Sequence, residues 1–167
     1  GIRDFHVTGV QTCALPILVQ NYGKSPFFQE VMPTIDNILN FESRNLSDYV
    51  THSIVCISGL LGIETPISVC SASFKERSLT GQDRIIDICK QANAKTYINS
   101  IGGMSLYELP AFKKSDIQLK FLSSDVEQIG QQNLGRSPYL SIVDPLMKKG
   151  IDLTRPLLAC HHLVTTK

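Results

Sequence analysis

Apolar residues recur at helical spacing in the first half of the chain and in short β-like runs in the second. Phe28, Val31, Met32, Ile35 and Ile38 or Leu39 fall on one side of a helical wheel, which predicts a helix over 26–40. Ser25 is placed to cap it, and Pro26 suits its first position, where the missing N–H has no intrahelical acceptor. A second helix is expected over 46–61, capped by Ser47, with Val50, Ile54, Ile57 and Leu61 on its inner face and Gly62 as its left-handed terminator. His52 lies on this helix and is read as solvated or internally satisfied.

Beyond Gly62 the pattern changes. Pro66 to Cys70 (PISVC) is short, partly β-branched and flanked by polar residues, as a strand is, and 71–79 reads as a polar loop. Thr80-Gly81-Gln82-Asp83 matches a capping box, opening a helix that carries Ile85, Ile86, Ile88, Cys89 and Ala92 and stops near Asn93. Thr96 to Asn99 is the next expected strand, followed by the turn Ser100 to Gly103 and a short helix through Leu106 and Tyr107. Ile117 to Leu122 alternates apolar and polar residues as a half-buried strand does. Residues 130–137 read as a loop, and 140–149 as a helix that starts at Pro145 or kinks there.

Strands alternating with helices imply an α/β domain, with helices around a small, mostly parallel sheet. Ligands of such sheets sit beyond the carboxyl ends of the strands. Here those ends are 71–73, 99–103 and 123–125.

The first seventeen residues do not fit this pattern. GIRDFHVTGVQTCALPI matches, in frame and in order, the translation of a common sequencing-library adapter. The expectation is a non-native leader over 1–17 with no packed structural role, followed by a single domain over 18–167 whose last residues, 157–167, form an irregular tail. His6 and Cys13 then leave the set of functional candidates.

Composition narrows the class. Apolar content of 43% and charged content of 19% are those of a globular chain rather than a disordered one. A net charge of +1 gives no electrostatic pull toward nucleic acid. No run of about eighteen apolar residues exists, so no membrane span is expected. Cys56, Cys70, Cys89 and Cys160 make no CxxC pair, which favours a reducing, cytoplasmic setting.

The turn Asn99-Ser100-Ile101-Gly102-Gly103 is the strongest local candidate for ligand contact. Paired glycines after a strand let backbone N–H groups approach an anion, or they serve a tight turn alone. Thr80 and Arg84 can hold an anion at a helix N-terminus, or act as a cap and a surface cation. Ser71 and Ser73 lack a partnered histidine and a GxSxG elbow, which disfavours a serine hydrolase at that strand. Asp144 and Ser141 precede a helix and can cap it. His161-His162 beside Cys160 is read as a solvated tail rather than a base or a metal site, and no metal or cofactor motif is found.

The chain resembles the WbqC-like protein family. The resemblance rests on YGKSPFF at 22–28, Leu61-Gly62-Ile63, LTGQDRI at 79–85 with Ile88-Cys89, Tyr97-Ile98-Asn99 with Gly102-Gly103 and Leu106-Tyr107, and LSIVD at 140–144. It covers roughly 18–152. Family members typically open on a segment of the form MQPxxxPxxGY, which is absent here. Pro145 stands where the family has an aliphatic residue, and the tail from Leu157 is unlike the family's. The resemblance implies a bacterial protein of O-antigen and surface-polysaccharide synthesis. It also implies a transferase that places an aminoacyl or acyl group on an amino sugar or nucleotide sugar, or else a non-catalytic binding or assembly protein of that pathway. Thr80, Arg84, Tyr97, Asn99, Gly102, Gly103, Tyr107 and Asp144 are the expected ligand-binding residues; the cofactor and the oligomeric state are left open.

Overall fold

A computed structural model describes residues 8–68, 78–132 and 139–165. Its elements, in chain order, are α1 (Thr8–Tyr22), α2 (Phe28–Leu39), α3 (Leu46–Leu60), α4 (Gly81–Gln91) and β1 (Thr96–Ser100). A 3-10 helix (Ile101–Leu106), α5 (Leu109–Lys114), β2 (Gln118–Ser124) and α6 (Val126–Gln132) follow. The chain then forms α7 (Val143–Thr154), a second 3-10 turn (Arg155–Ala159) and β3 (His161–Val164). Its contacts group into two compact units, Gly1–Ile67 with Ile129–Ala159 and Ser68–Gln128 with Cys160–Lys167.

The first unit is helical. The expected stripe on α2 packs as predicted: Val31, Ile35 and Ile38 are buried with Leu61, Leu146 and Met147, and Phe28, Met32 and Leu39 pack around them. The start of α2 is two residues later than expected. Ser25 does not cap it; Phe27 holds the cap position without a side-chain bond, while the Phe27 carbonyl takes the Val31 N–H at 3.0 Å. For α3 the cap is Asn45, whose side chain accepts from the Ser47 N–H at 2.9 Å, rather than Ser47 itself.

The inner face of α3 also differs from expectation. Ile57 and Leu61 pack as expected, but Val50 and Ile54 are 45% and 51% exposed, and Tyr49, Cys56 and Leu60 take their places against the core. Apolar residues lie on both sides of this helix, so periodicity alone does not choose between them. Gly62 ends the region at φ 69°, as expected.

α7 begins at Val143, so Pro145 falls in its first turn, where its missing N–H costs nothing. The helix breaks at Gly150, which has φ 80° and ψ −179°. A Cβ there would stand 2.6 Å from Phe27 Cε1, so the position needs a glycine for both its backbone and its neighbour. Residues 8–17, expected to be a leader without a packed role, form the first ten positions of α1. Among the described side chains of α1, Cys13, Pro16 and Ile17 are exposed, Ala14 and Leu15 are half-buried, and Leu18 and Tyr22 pack against the core cluster.

The second unit holds a three-stranded sheet in the order β1-β2-β3, with α4 and α5 packed against it. β1 and β2 are parallel, with Tyr97 opposite Leu119 and Asn99 opposite Phe121. β3 is antiparallel to β2, so the sheet is mixed rather than mostly parallel. Its core holds Ile86 and Cys89 of α4, Phe112 of α5, and Ile117, Leu119 and Phe121. The stretch 157–167, expected as an irregular tail, contributes β3. Of the strand expected at 66–70, Pro66, Ile67 and Ser68 have no regular structure, and the rest, with Ser71 and Ser73, lies outside the described residues.

Candidate functional site

The expected site residues fall in both units. Thr80, Arg84, Tyr97, Asn99, Gly102, Gly103 and Tyr107 belong to the second unit, and Asp144 belongs to the first.

In the second unit, β1 delivers Tyr97 and Asn99 to the same face, two residues apart. The Tyr97 and Tyr107 hydroxyls are 3.2 Å apart, with their rings edge to face at 5.6 Å. Tyr97 also stacks on Phe112 at 5.8 Å, and Tyr107 leans on Phe121. Burial, then the hydrogen bond to Tyr107, raises the Tyr97 phenol well above its usual pKa. Asn99 bends back on its own turn: its Oδ1 accepts from the Ser100 N–H at 2.8 Å. A Cβ on Gly103 would lie 2.7 Å from Asn99 Nδ2, so this glycine makes room for the asparagine amide. Gly102 is exposed, with open space where a side chain would stand. The Tyr97–Tyr107 and Asn99–Gly103 pairs are thus brought together.

The capping box at the start of α4 does not form. Thr80 has the extended backbone of a cap, yet its hydroxyl makes no cap bond. Gln82 accepts the Glu108 N–H at 3.0 Å, tying this helix start to the chain just after Tyr107. Arg84, expected to clamp an anion, points Nη1 at Asp87 Oδ2 across 3.3 Å, and Asp87 also accepts from Gln91 at 2.7 Å. The spacing Arg84-x-x-Asp87 is the local signal for this pairing, because residues three apart share a helix face.

Asp144 occupies a different setting. It is 2% exposed in the first turn of α7, and its Oδ1 accepts from the Tyr22 hydroxyl at 3.2 Å and from the Lys148 ammonium. The same ammonium lies 5.4 Å from the centre of the Tyr22 ring, within cation–π range. Lys148 keeps 32% of its side chain exposed, so the residue that grips this buried carboxylate is itself partly open to solvent. Of these three residues, only Asp144 is expected from the sequence. The i, i+4 spacing of Asp144 and Lys148 was the available signal for one partner; nothing local links either to Tyr22, 122 positions earlier. The capping role expected near Asp144 belongs to Ser141, whose hydroxyl accepts from the Val143 N–H at 3.3 Å.

Among the described residues, no group of three His, Cys, Asp or Glu side chains is disposed to hold a metal ion. No described helix is long and apolar enough to cross a membrane. His52 is internally satisfied, stacked on Phe41 at 4.0 Å and 2.8 Å from Asn37 Oδ1.

The profile of the WbqC-like protein family matches residues 2–155, and the chain belongs to that family. No curated protein and no solved structure matches it.

Proposed function

We propose that this member of the WbqC-like protein family is a cytoplasmic bacterial transferase of O-antigen or surface-polysaccharide synthesis. It would transfer an aminoacyl or acyl group to an amino sugar or nucleotide sugar. The observation that carries the reading is the Tyr22–Asp144–Lys148 cluster. A buried carboxylate is costly unless paired, and here the pairing holds an ammonium in a fixed place at the solvent boundary. An ammonium so held suits the phosphate of a nucleotide sugar. Tyr22, hydrogen-bonded to the same carboxylate, presents a phenol beside it for a sugar hydroxyl.

The test is direct. The protein is incubated with nucleotide amino sugars and activated acyl or aminoacyl donors, and products are read by mass spectrometry. A mass gain on the sugar is expected, reduced about tenfold or more in Lys148→Ala, the loss expected of one charge-assisted phosphate contact. No gain with any donor and sugar pair would refute the reading.

A second reading, a non-catalytic binding or assembly protein of the same pathway, draws on a different observation. Arg84 is committed to Asp87, and Tyr97 and Tyr107 are committed to each other. Under this reading a nucleotide sugar binds in calorimetry and leaves unmodified.

A further inference from the structure

His161-His162, expected in an irregular tail, lie on β3 and are held in register with β2. Ser123 of β2 stands opposite His162, and Ser124 opposite His161. The Asp125 N–H donates to the Cys160 carbonyl at 2.9 Å, carrying the ladder one residue past β2. Closely bonded pairs alternate along an antiparallel ladder, so Ser123 and His162 form such a pair, with Cα atoms about 5.5 Å apart. The backbone register sets this pair. The two side chains are cross-strand neighbours that are not hydrogen-bonded to each other, and rotation of the histidine brings its ring toward the hydroxyl.

Alternation fixes the face. Leu119 and Phe121 are 1% and 0% exposed and point into the core; Ser123 and then Asp125 continue on their side. On β3, His162 follows Cys160, which is 2% exposed, on that same side. A hydroxyl, an imidazole directly opposite it and a carboxylate two residues on therefore share one face at the carboxyl end of β2. That is the end at which open α/β sheets bind ligands. Asp125 is held in place: its Oδ1 accepts from the Gln128 N–H at 3.0 Å, which leaves Oδ2 for an imidazole N–H. Ser123 is half-buried and His162 is exposed, so a substrate has access to the pair.

We propose that Ser123, His162 and Asp125 form an acyl-transfer centre in which Ser123 is the nucleophile, His162 its base and Asp125 a positioning residue. The proposal rests on the acyl-transfer reading above for its substrate class, an acyl ester or thioester. Ser123 Oγ attacks the acyl carbonyl carbon, and its proton passes to His162. The bond to the leaving oxygen or sulfur breaks, and the leaving group departs with the proton from His162. The amine of the acceptor then attacks the acyl-serine; His162 takes the amine proton and returns it to Ser123 Oγ as the ester bond breaks. No oxidant or reductant is consumed.

A fluorophosphonate probe tests the nucleophile without any sugar. Intact mass and peptide mapping of the protein should show one phosphonyl adduct, on Ser123, and none in Ser123→Ala. His162→Gln should slow labelling about 100-fold, the usual scale of a lost general base. Asp125→Asn should slow it less. Ser124→Ala and His161→Gln, on the opposite face, should label as the unaltered protein does. Since His162 is exposed, its substitution keeps the test decisive should Ser123→Ala misfold. No adduct, an adduct elsewhere, or an equal rate in His162→Gln overturns the proposal. Sugar modification retained in Ser123→Ala also overturns it, while leaving the transferase reading intact. Adduct formation that depends on His162, with no sugar modified, supports the centre and counts only against the sugar substrate.

Discussion

Replacing Lys148 by Met removes the counter-ion of Asp144 while keeping the length and apolar stem of the side chain. Breaking a fully buried ion pair costs about 3–5 kcal/mol, because a buried charge is left behind. Lys148 retains 32% side-chain exposure, and Tyr22 still donates to Asp144 in the variant, so a loss of about 2–3 kcal/mol is expected here. Asp144→Asn should cost less, about 1 kcal/mol, because the freed ammonium turns to water and the neutral amide keeps an oxygen for Tyr22. The double variant Asp144→Asn/Lys148→Met leaves no orphaned charge and should sit near the single Asn variant, giving a coupling of about 2 kcal/mol. Urea denaturation is the assay, followed by far-UV circular dichroism because the chain contains no Trp. Midpoints should move with the slope unchanged. If the two single changes add within about 0.5 kcal/mol, Asp144 does not depend on Lys148, and the site reading loses its physical basis.

Gly150→Ala should destabilise by about 2–5 kcal/mol, from a backbone region closed to L side chains and from a Cβ driven into the Phe27 ring; a urea midpoint within error of the parent would refute this. Tyr97 has a folded-state pKa raised above its ordinary value of 10.0, first by burial and then by Tyr107. The folded state therefore holds its proton longer than the unfolded state. The stability gained is complete below pH 10 and is lost as pH rises from there toward the folded value. Tyr97→Phe should flatten that alkaline decline in urea midpoints measured from pH 9 upward, and an unchanged decline would contradict the assignment. With an aromatic disulfide reagent, Cys89 and Cys160, 5% and 2% exposed, should react more slowly than half-buried Cys56 by roughly the cost of local opening. Equal rates would mean that these two sites are open in solution.

Much of the fold is legible in residue order, and the misses have particular causes. The stripe on α2 is unambiguous because its opposite side is polar, and Val31, Ile35 and Ile38 are buried as expected. α3 is apolar on two sides, and the neighbour that selects Tyr49, Cys56 and Leu60 over Val50 and Ile54 is the α2 core, which the local sequence does not encode. The Thr80 to Asp83 spacing satisfies a capping box, yet no side chain caps this helix start, and the neighbouring Gln82 bonds to Glu108, 26 residues away. His161-His162 carries too short an apolar run to announce a strand; its pairing with β2 comes from a partner about forty residues earlier in the chain.

Residue order alone was enough for what depends on near neighbours: most of the helices, the parallel β1–β2 pair and the α/β class. Tertiary packing set which charges are paired, which glycine makes room for a neighbouring side chain, and that each histidine of β3 stands opposite a serine of β2. Local periodicity depends on φ and ψ and a few residues of reach, whereas Tyr22 meets Asp144, and Ser123 meets His162, only after the chain has closed long loops. Their chemistry is set by burial and register, and those belong to the folded molecule as a whole.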